Sequence, residues 1–405
     1  MASAASPRHP VDQTKLETFT ALDKSALAAF CQLLRFDDNQ DGYWDQRNLL
    51  LQDATGYLAD ADVNAPLQLK DLVSRKASSE GSKNPAITKI DVLQALHTDE
   101  GHLFPAPCLI AQVDHVVHRE QEHEIISQII KAGVNPVVVH AAAGVGKSVF
   151  STCIGSGLPT GSVAILYDCF GNGAYRSASS YRHRHEDALV QIANELAAKS
   201  LCHPLIPTSK AKPSDYARAF LARLNQSIAS LRARHTDALL CIISDAADNA
   251  QMAADELCES HSFVRDLIRE QVPAGVRLVF LCRTHRQEPL NPPPQALPIE
   301  LQPFSRTESA LHFRRAFSDA TEHDVDEFHA LSSRNLRVQA IALSWHLALG
   351  DTLRELGPSP TNVDNTIEKL LDRSKARVDQ GRSRRAILNR MLEHCFPGIS
   401  FGPTP

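Results

Sequence analysis

Two hydrophobic rhythms divide the chain. Between residues 14 and 100 apolar side chains recur every three or four positions. LETFTALDKSALAAFCQLLRF, RNLLLQDATGYLA, PLQLKDLVSRKA and ITKIDVLQALH all carry this spacing. It places the apolar residues on one face of a helix. The polar stretch SSEGSKN at 78–84 reads as a loop, and LFPAPCL at 103–109, with two prolines, reads as a boundary. Residues 1–13 are polar and contain proline, which predicts a disordered tail.

From Ala111 onward the rhythm changes. HREQEHEIISQIIKAG predicts an amphipathic helix stopped by Gly133. After it, short Val/Ile/Leu-rich runs alternate with helical stretches. The runs are NPVVVHA, SVAILYDCF, ALLCIISDA, VRLVFLCR and LPIELQPF. They lack polar alternation, as strands buried on both faces should. Helical stretches such as HEDALVQIANELAAKS and SDYARAFLARLNQSIASLRARH lie between them. This alternation predicts a doubly wound α/β domain over 109–304, with a parallel sheet, helices on both faces and right-handed crossovers. After Phe304 the strand-like runs stop. SRTESALHFRRAF, EHDVDEFHALSS, RVQAIALSWHLALG and TNVDNTIEKLLDRSKARV are helical. The expected division is therefore a tail at 1–13, a helical region at 14–108, the α/β domain at 109–304 and a second helical region at 305–405.

Composition narrows the class. Apolar residues make up 43% of the 405 positions, which fits a globular protein of two or three domains. A net charge of −5 gives no overall basic field for nucleic acid, so nucleic-acid binding is not expected. Nine cysteines are scattered, several inside apolar runs and none in a CxxC pair. They read as reduced, buried thiols of a cytoplasmic protein. No signal sequence or membrane span is legible.

One turn carries chemistry. VVVHAAAGVGKSVF, residues 137–150, approximates G-x-x-x-x-G-K-[ST] with Ala141 at the first position. A buried strand precedes it and a helix follows, which is the context a phosphate-binding loop needs. Over Ala141, Ala142, Ala143, Gly144, Val145, Gly146, Lys147, Ser148 and Val149, backbone N–H groups would surround phosphates. Gly144 and Gly146 permit positive φ and close approach. Lys147 would reach the β- and γ-phosphates of ATP, and Ser148 would bind Mg²⁺. Ala141 lies at the strand end, where a methyl is tolerable.

Two further strand ends belong to the same chemistry. ALLCIISD ends on Asp245, placed to hold the magnesium water shell at the carboxyl edge of the sheet, where ligands bind in such folds. Asp248, three residues on, can position the attacking or a Mg²⁺-bound water. VRLVFLCR ends on Arg283, which can sense the γ-phosphate.

Loop, acid and arginine in this order resemble the signal-transducing NTPases with numerous domains (STAND) and their NACHT branch, over about residues 111–350. His118-Arg119-Glu120 resembles the family's G-R-E turn, which implies that Arg119 belongs to the nucleotide site. Asp245-Ala-Ala-Asp248-Asn249 resembles its D-[GA]-x-D-E motif, with Asn249 in place of the final Glu. Leu281-Cys282-Arg283 matches T-S-R only at the arginine, and Arg334-Asn335-Leu336 keeps only the asparagine of G-N-P. Residues 167–199 are also similar to bacterial antiviral STAND proteins. The resemblance implies a nucleotide-dependent switch that binds ATP and Mg²⁺, hydrolyses slowly and oligomerises on activation. It further implies a role in antiviral defence, with a phage or other protein as trigger. The sequence contains no sensor repeats, so the chain reads as an incomplete member. The alternatives are another P-loop ATPase or kinase of the AAA type, and a module that binds ATP without cleaving it.

Other signals are weaker. Asp37, Asn39, Asp41, Gly42 and Asp45 fall on positions 1, 3, 5, 6 and 9 of a calcium loop, but Asn48 stands at position 12 instead of Glu. A polar helix connector is the expected reading. The basic run from Tyr175 to His185 reads first as a solvated loop, with nucleotide or subunit contact and nucleic acid as alternatives. Cys202-His203 and His394-Cys395 lack further ligands at metal spacing.

Overall fold

The computed structural model describes Thr18, Asp23, Ala26 and residues 56–60, 64–79, 86–111, 113, 115–177 and 181–361. The calcium-loop-like stretch 37–48, His394-Cys395 and nearly all of TNVDNTIEKLLDRSKARV lie outside these residues.

Five parallel strands form one sheet: β1 Val137–Ala141, β2 Val163–Asp168, β3 Leu240–Asp245, β4 Val276–Arg283 and β5 Leu297–Glu300. Their spatial order is β2-β3-β4-β1-β5. This is the α/β class that the alternation of runs and helices predicts. Before β1 lie α1 Ala65–Ser79, α2 Lys89–Ala95, α3 Glu100–Leu103 and α4 Glu122–Lys131. Between the strands lie α5 Lys147–Cys153, α6 His185–Ala198, α7 Pro213–Arg232, α8 Ala247–Glu256 and α9 Phe263–Leu267. Four helices follow the sheet: α10 Arg306–Ala316, α11 Glu322–Leu331, α12 Leu336–Leu343 and α13 Leu349–Leu356.

The pleat explains the unbroken apolar runs. Val138, Ile242, Leu278 and Phe280 face one side and pack with α6, α7 and α9. Val137, Val139, Ile243, Val279 and Leu281 face the other and pack with α4 and α5. Both faces are covered, so neither tolerates a polar alternate. The exception is β5, an edge strand of four residues in which only Ile299 is buried. Its sequence reads as a core strand, but an edge strand has only one neighbour to cover it. A separate core of Phe313, Val325, Phe328, Val338, Trp345 and Leu356 holds α10–α13 together.

One helical expectation changes. The described part of RNLLLQDATGYLA, residues 56–59, is a turn and not a helix. Ile206 donates its N–H to Tyr57 O at 2.8 Å, and Ala59 donates to Ile206 O at 3.0 Å. The buried Arg223 guanidinium donates to Gly56 O. Pairing with a distant segment thus replaces the helical bonds, and Gly56 lowers the cost of leaving the helix. Among the described residues, no helix is long and apolar enough to cross a membrane.

Candidate functional site

The strand order decides which side chains can meet. β4 lies between β1 and β3, so the carboxyl ends of these three strands are neighbours. Ala141 pairs with Arg283 across β1 and β4, and Asp168 pairs with Asp245 across β2 and β3. Loop, acid and arginine, spread over about 140 residues of sequence, therefore open onto one edge of the sheet.

The loop has the expected strand–turn–helix form. Ala141 is the last residue of β1 and is buried, so its methyl sits in the strand and not in the turn. Gly144 and Gly146 have φ of +80° and +103°, which only glycine adopts without strain. Between them Val145 is 2% exposed and ties the turn into the core beneath. Gly146 then precedes the first turn of α5. The loop borders a cavity of about 630 Å³, within the size range of small-molecule sites.

Lys147 folds back over the loop. Its Nζ donates to Ala141 O and Ala142 O, each at 3.0 Å. Burial holds its ammonium below the ordinary lysine range, and the carboxylates of Asp248 and Asp245 partly oppose that shift. Asp245 is 2% exposed. Its pKa is pushed up to about 6, first by burial, against which a hydrogen bond from Ser148 acts. The Ser148 hydroxyl and the Asp245 carboxyl both line the cavity, as two hard oxygen donors suited to Mg²⁺.

Asp248 is buried at the start of α8. The Arg286 guanidinium lies 3.5 Å from its carboxylate, and Arg283 lies at 3.9 Å. Asn249 is also buried, and its Oδ1 has no partner among the described residues. Both Asp248 and Asn249 line the cavity, as does Arg283.

Arg119 lines the cavity with its guanidinium engaged by groups of the protein itself. Its side chain is 5% exposed, and its three nitrogens are all engaged. Nε pairs with Glu308 at 3.2 Å, Nη1 donates to Val145 O at 2.9 Å and Nη2 donates to Gln302 O. The guanidinium also lies 4.7 Å from the centre of the Phe304 ring. Arg119 therefore fastens the loop backbone to α10, although it remains on the cavity wall.

The second half of the basic run, from Tyr181 to His185, is not a solvated loop, whereas Arg176 in its first half is exposed. Arg182, His183 and His185 are all buried. Arg182 donates to Asp168 O and Pro107 O, while His183 and Arg184 both engage Glu259. The charge of Arg182 is used inside the fold.

Several residues at the site carry no strong signal in the sequence. Asp168 ends β2 as Asp245 ends β3, and its carboxylate accepts from the N–H groups of Leu109, Phe170 and Gly171. This pins the segment near Leu109, which lines the cavity. A second group comes from α12. Asn335 donates from Nδ2 to Ala143 O at 2.8 Å, and Arg337 N–H donates to Gly144 O at 2.9 Å. The N-terminus of α12 is therefore seated directly on the loop.

No family model matches the chain, and no curated protein matches it. Among solved structures it is similar to the ORC1 protein of Aeropyrum pernix in complex with DNA, at 14% identity and a TM-score of 0.37, covering 69% of this chain and 70% of that one. It is also similar to Drosophila ORC bound to DNA, at 15% identity and a TM-score of 0.35, covering 77% and 76%.

Proposed function

We propose that the chain is a P-loop NTPase that binds ATP with Mg²⁺ and works as a nucleotide-dependent switch of the STAND/NACHT type. The observation that carries this reading is the loop itself. Gly144 and Gly146 turn the backbone, Lys147 lies over it, and Ser148 and Asp245 line the same cavity wall. Loop N–H groups and the start of α5 would receive the phosphates. Lys147 would exchange its two carbonyl partners for phosphate oxygens. Ser148 and Asp245 would hold the ion, which supplies charge neutralisation at the β- and γ-oxygens. Arg283 and Arg286 stand near enough to Asp248 to shift toward a γ-phosphate.

The switch reading is supported by α12. The loop that would take phosphate also holds the helical region through Asn335 and Arg337. Rearranging the loop around a phosphate would strain or release these bonds, which links ligand to helix position. Hydrolysis would be slow, because the residue after Asp248 is an amide and not a carboxylate. Assembly into an oligomer on activation, a protein trigger and a role in antiviral defence follow from the STAND resemblance and belong to the same proposal. A module that holds ATP without cleaving it is the second reading, favoured by the unpartnered amide oxygen of Asn249. Single-turnover incubation with radiolabelled ATP separates them. Slow release of phosphate supports the switch, whereas bound ATP that stays intact for hours supports the second reading.

A further inference from the structure

The wall of the cavity built by the helical region carries a histidine whose tautomer is fixed by its neighbours. His312 lies on α10 and lines the cavity with Phe304, Leu336 and Ala340. Its ring stands edge-on to Phe304 at 6.0 Å between centroids. Its Nδ1 is 3.1 Å from Gln339 Oε1. Gln339 is fully buried, and its amide nitrogen donates to Ser309 Oγ at 2.8 Å and Ser332 Oγ at 3.1 Å. Ser332 already gives its single hydroxyl proton to His329 O, so it accepts from Gln339. The amide is thereby oriented with its oxygen toward His312. An amide oxygen only accepts, so the proton of His312 is on Nδ1. In a neutral imidazole that leaves Nε2 as a bare acceptor. Burial and the nearby Arg315 hold the ring below the ordinary histidine range, against the Gln339 bond, which keeps it neutral near pH 7. Among the described residues the ring makes no other hydrogen bond.

We propose that His312 reads the base of the bound nucleotide: its Nε2 accepts from an exocyclic amino group, so the site selects adenine over 6-oxopurines. Adenine presents a 6-amino donor where guanine and hypoxanthine present a carbonyl acceptor. A carbonyl set against Nε2 would leave two acceptors facing each other, both desolvated. Leu336, half-buried, and Ala340, exposed, give the base an apolar surface to pack on, with the buried Phe304 behind His312. The sheet edge, which carries Lys147 and Asp245, remains for the phosphates. Selection is thus made by the helical region, which ties base identity to the position of α10 and α12.

This inference rests on the nucleotide reading above, and the test separates the two. Mg²⁺-ATP and Mg²⁺-inosine triphosphate are titrated calorimetrically into the full chain and into His312→Phe. Inosine triphosphate replaces the 6-amino group by oxygen and keeps the triphosphate. The intact protein is expected to prefer ATP by about tenfold, the worth of one good hydrogen bond and the avoidance of a repulsive one. H312F, which keeps an aromatic ring against Phe304, should bind ATP as weakly as the intact protein binds inosine triphosphate. Equal affinity of the intact protein for the two nucleotides overturns the inference, and that comparison needs no variant to fold. An unchanged preference in folded H312F also overturns it. If the folded intact protein binds neither nucleotide, the phosphate-site reading fails, and the base reading falls with it.

Discussion

Gly144 answers to two neighbours at once. Its φ of +80° already disfavours any side chain, and a Cβ there would lie 2.4 Å from Asn335 Oδ1 and 3.0 Å from Arg337 Cβ. The glycine is needed for the turn and for the seat of α12. Gly144→Ala is therefore expected to lower Mg²⁺-ATP affinity at least tenfold and Tm by a few degrees, from strain of about 1–3 kcal/mol. Gly350→Ala, where a Cβ meets nothing within 4 Å, should leave ATP affinity unchanged in the same titration. Asp187 offers a separate test at this scale. Its pKa is pushed up to about 7, first by burial and then by Glu186, and its buried Oδ2 has no partner among the described residues. The folded state keeps a proton that the unfolded chain, with the usual value of 3.8, gives up. Stability from this group is present at low pH and is lost as pH rises from about 4 to about 7. Asp187→Asn should raise Tm at pH 8 and change it much less at pH 5. A larger gain at pH 5 would contradict the burial argument.

At the scale of elements, the described strands and most of the helices were legible because each follows from a local rule. β1, β3 and β4 are apolar without alternation, since both faces are covered. α4 stops at Gly133, whose φ is +67°. The form of the loop at 141–149 was legible for the same reason: strand, turn and helix are contiguous in sequence. What was not legible depends on distance along the chain. No property of residues 56–60 announces pairing with Ile206, and nothing in RNLRVQ announces a seat on a loop about 190 residues earlier. Arg119 could be placed at the site but not given its partners, because Glu308 and Gln302 arrive from the far side of the sheet sequence. The pair it makes is buried, at 5% and 3% exposure. Glu308 also accepts from the N–H groups of Glu120 and Ser305, so it joins the approach to α4 with the start of α10. Glu308→Ala strands a buried guanidinium and removes an N-terminal cap from α10. It should cost about 3 kcal/mol or more in denaturant unfolding. A loss below about 1 kcal/mol would mean that Arg119 finds solvent and that the fastening is unimportant.

On the proposed reading, the whole molecule presents a sheet edge for phosphates and a helical wall for the base, with α12 seated on the loop between them. This arrangement makes affinity, hydrolysis and helix position three readouts of one site. Asn335→Ala, which removes the side-chain bond to Ala143 O, should speed proteolysis within α10–α13 of the ligand-free protein without abolishing ATP binding. On the same reading, turnover would depend on a different position. Asn249 stands beside Asp248 with its amide oxygen unpartnered, and a carboxylate there could take a proton from an attacking water. Asn249→Glu is expected to raise phosphate release at least tenfold with little change in ATP affinity. Unchanged release, with binding intact, would place the limit on hydrolysis elsewhere. All of this depends on the loop holding a triphosphate. The most direct measurement is a calorimetric titration of Mg²⁺-ATP into the intact chain and into Lys147→Ala, each checked for folding by circular dichroism. The account predicts saturable binding to the intact protein and its loss in the variant. No binding to the folded intact protein, or equal binding to both, would contradict it.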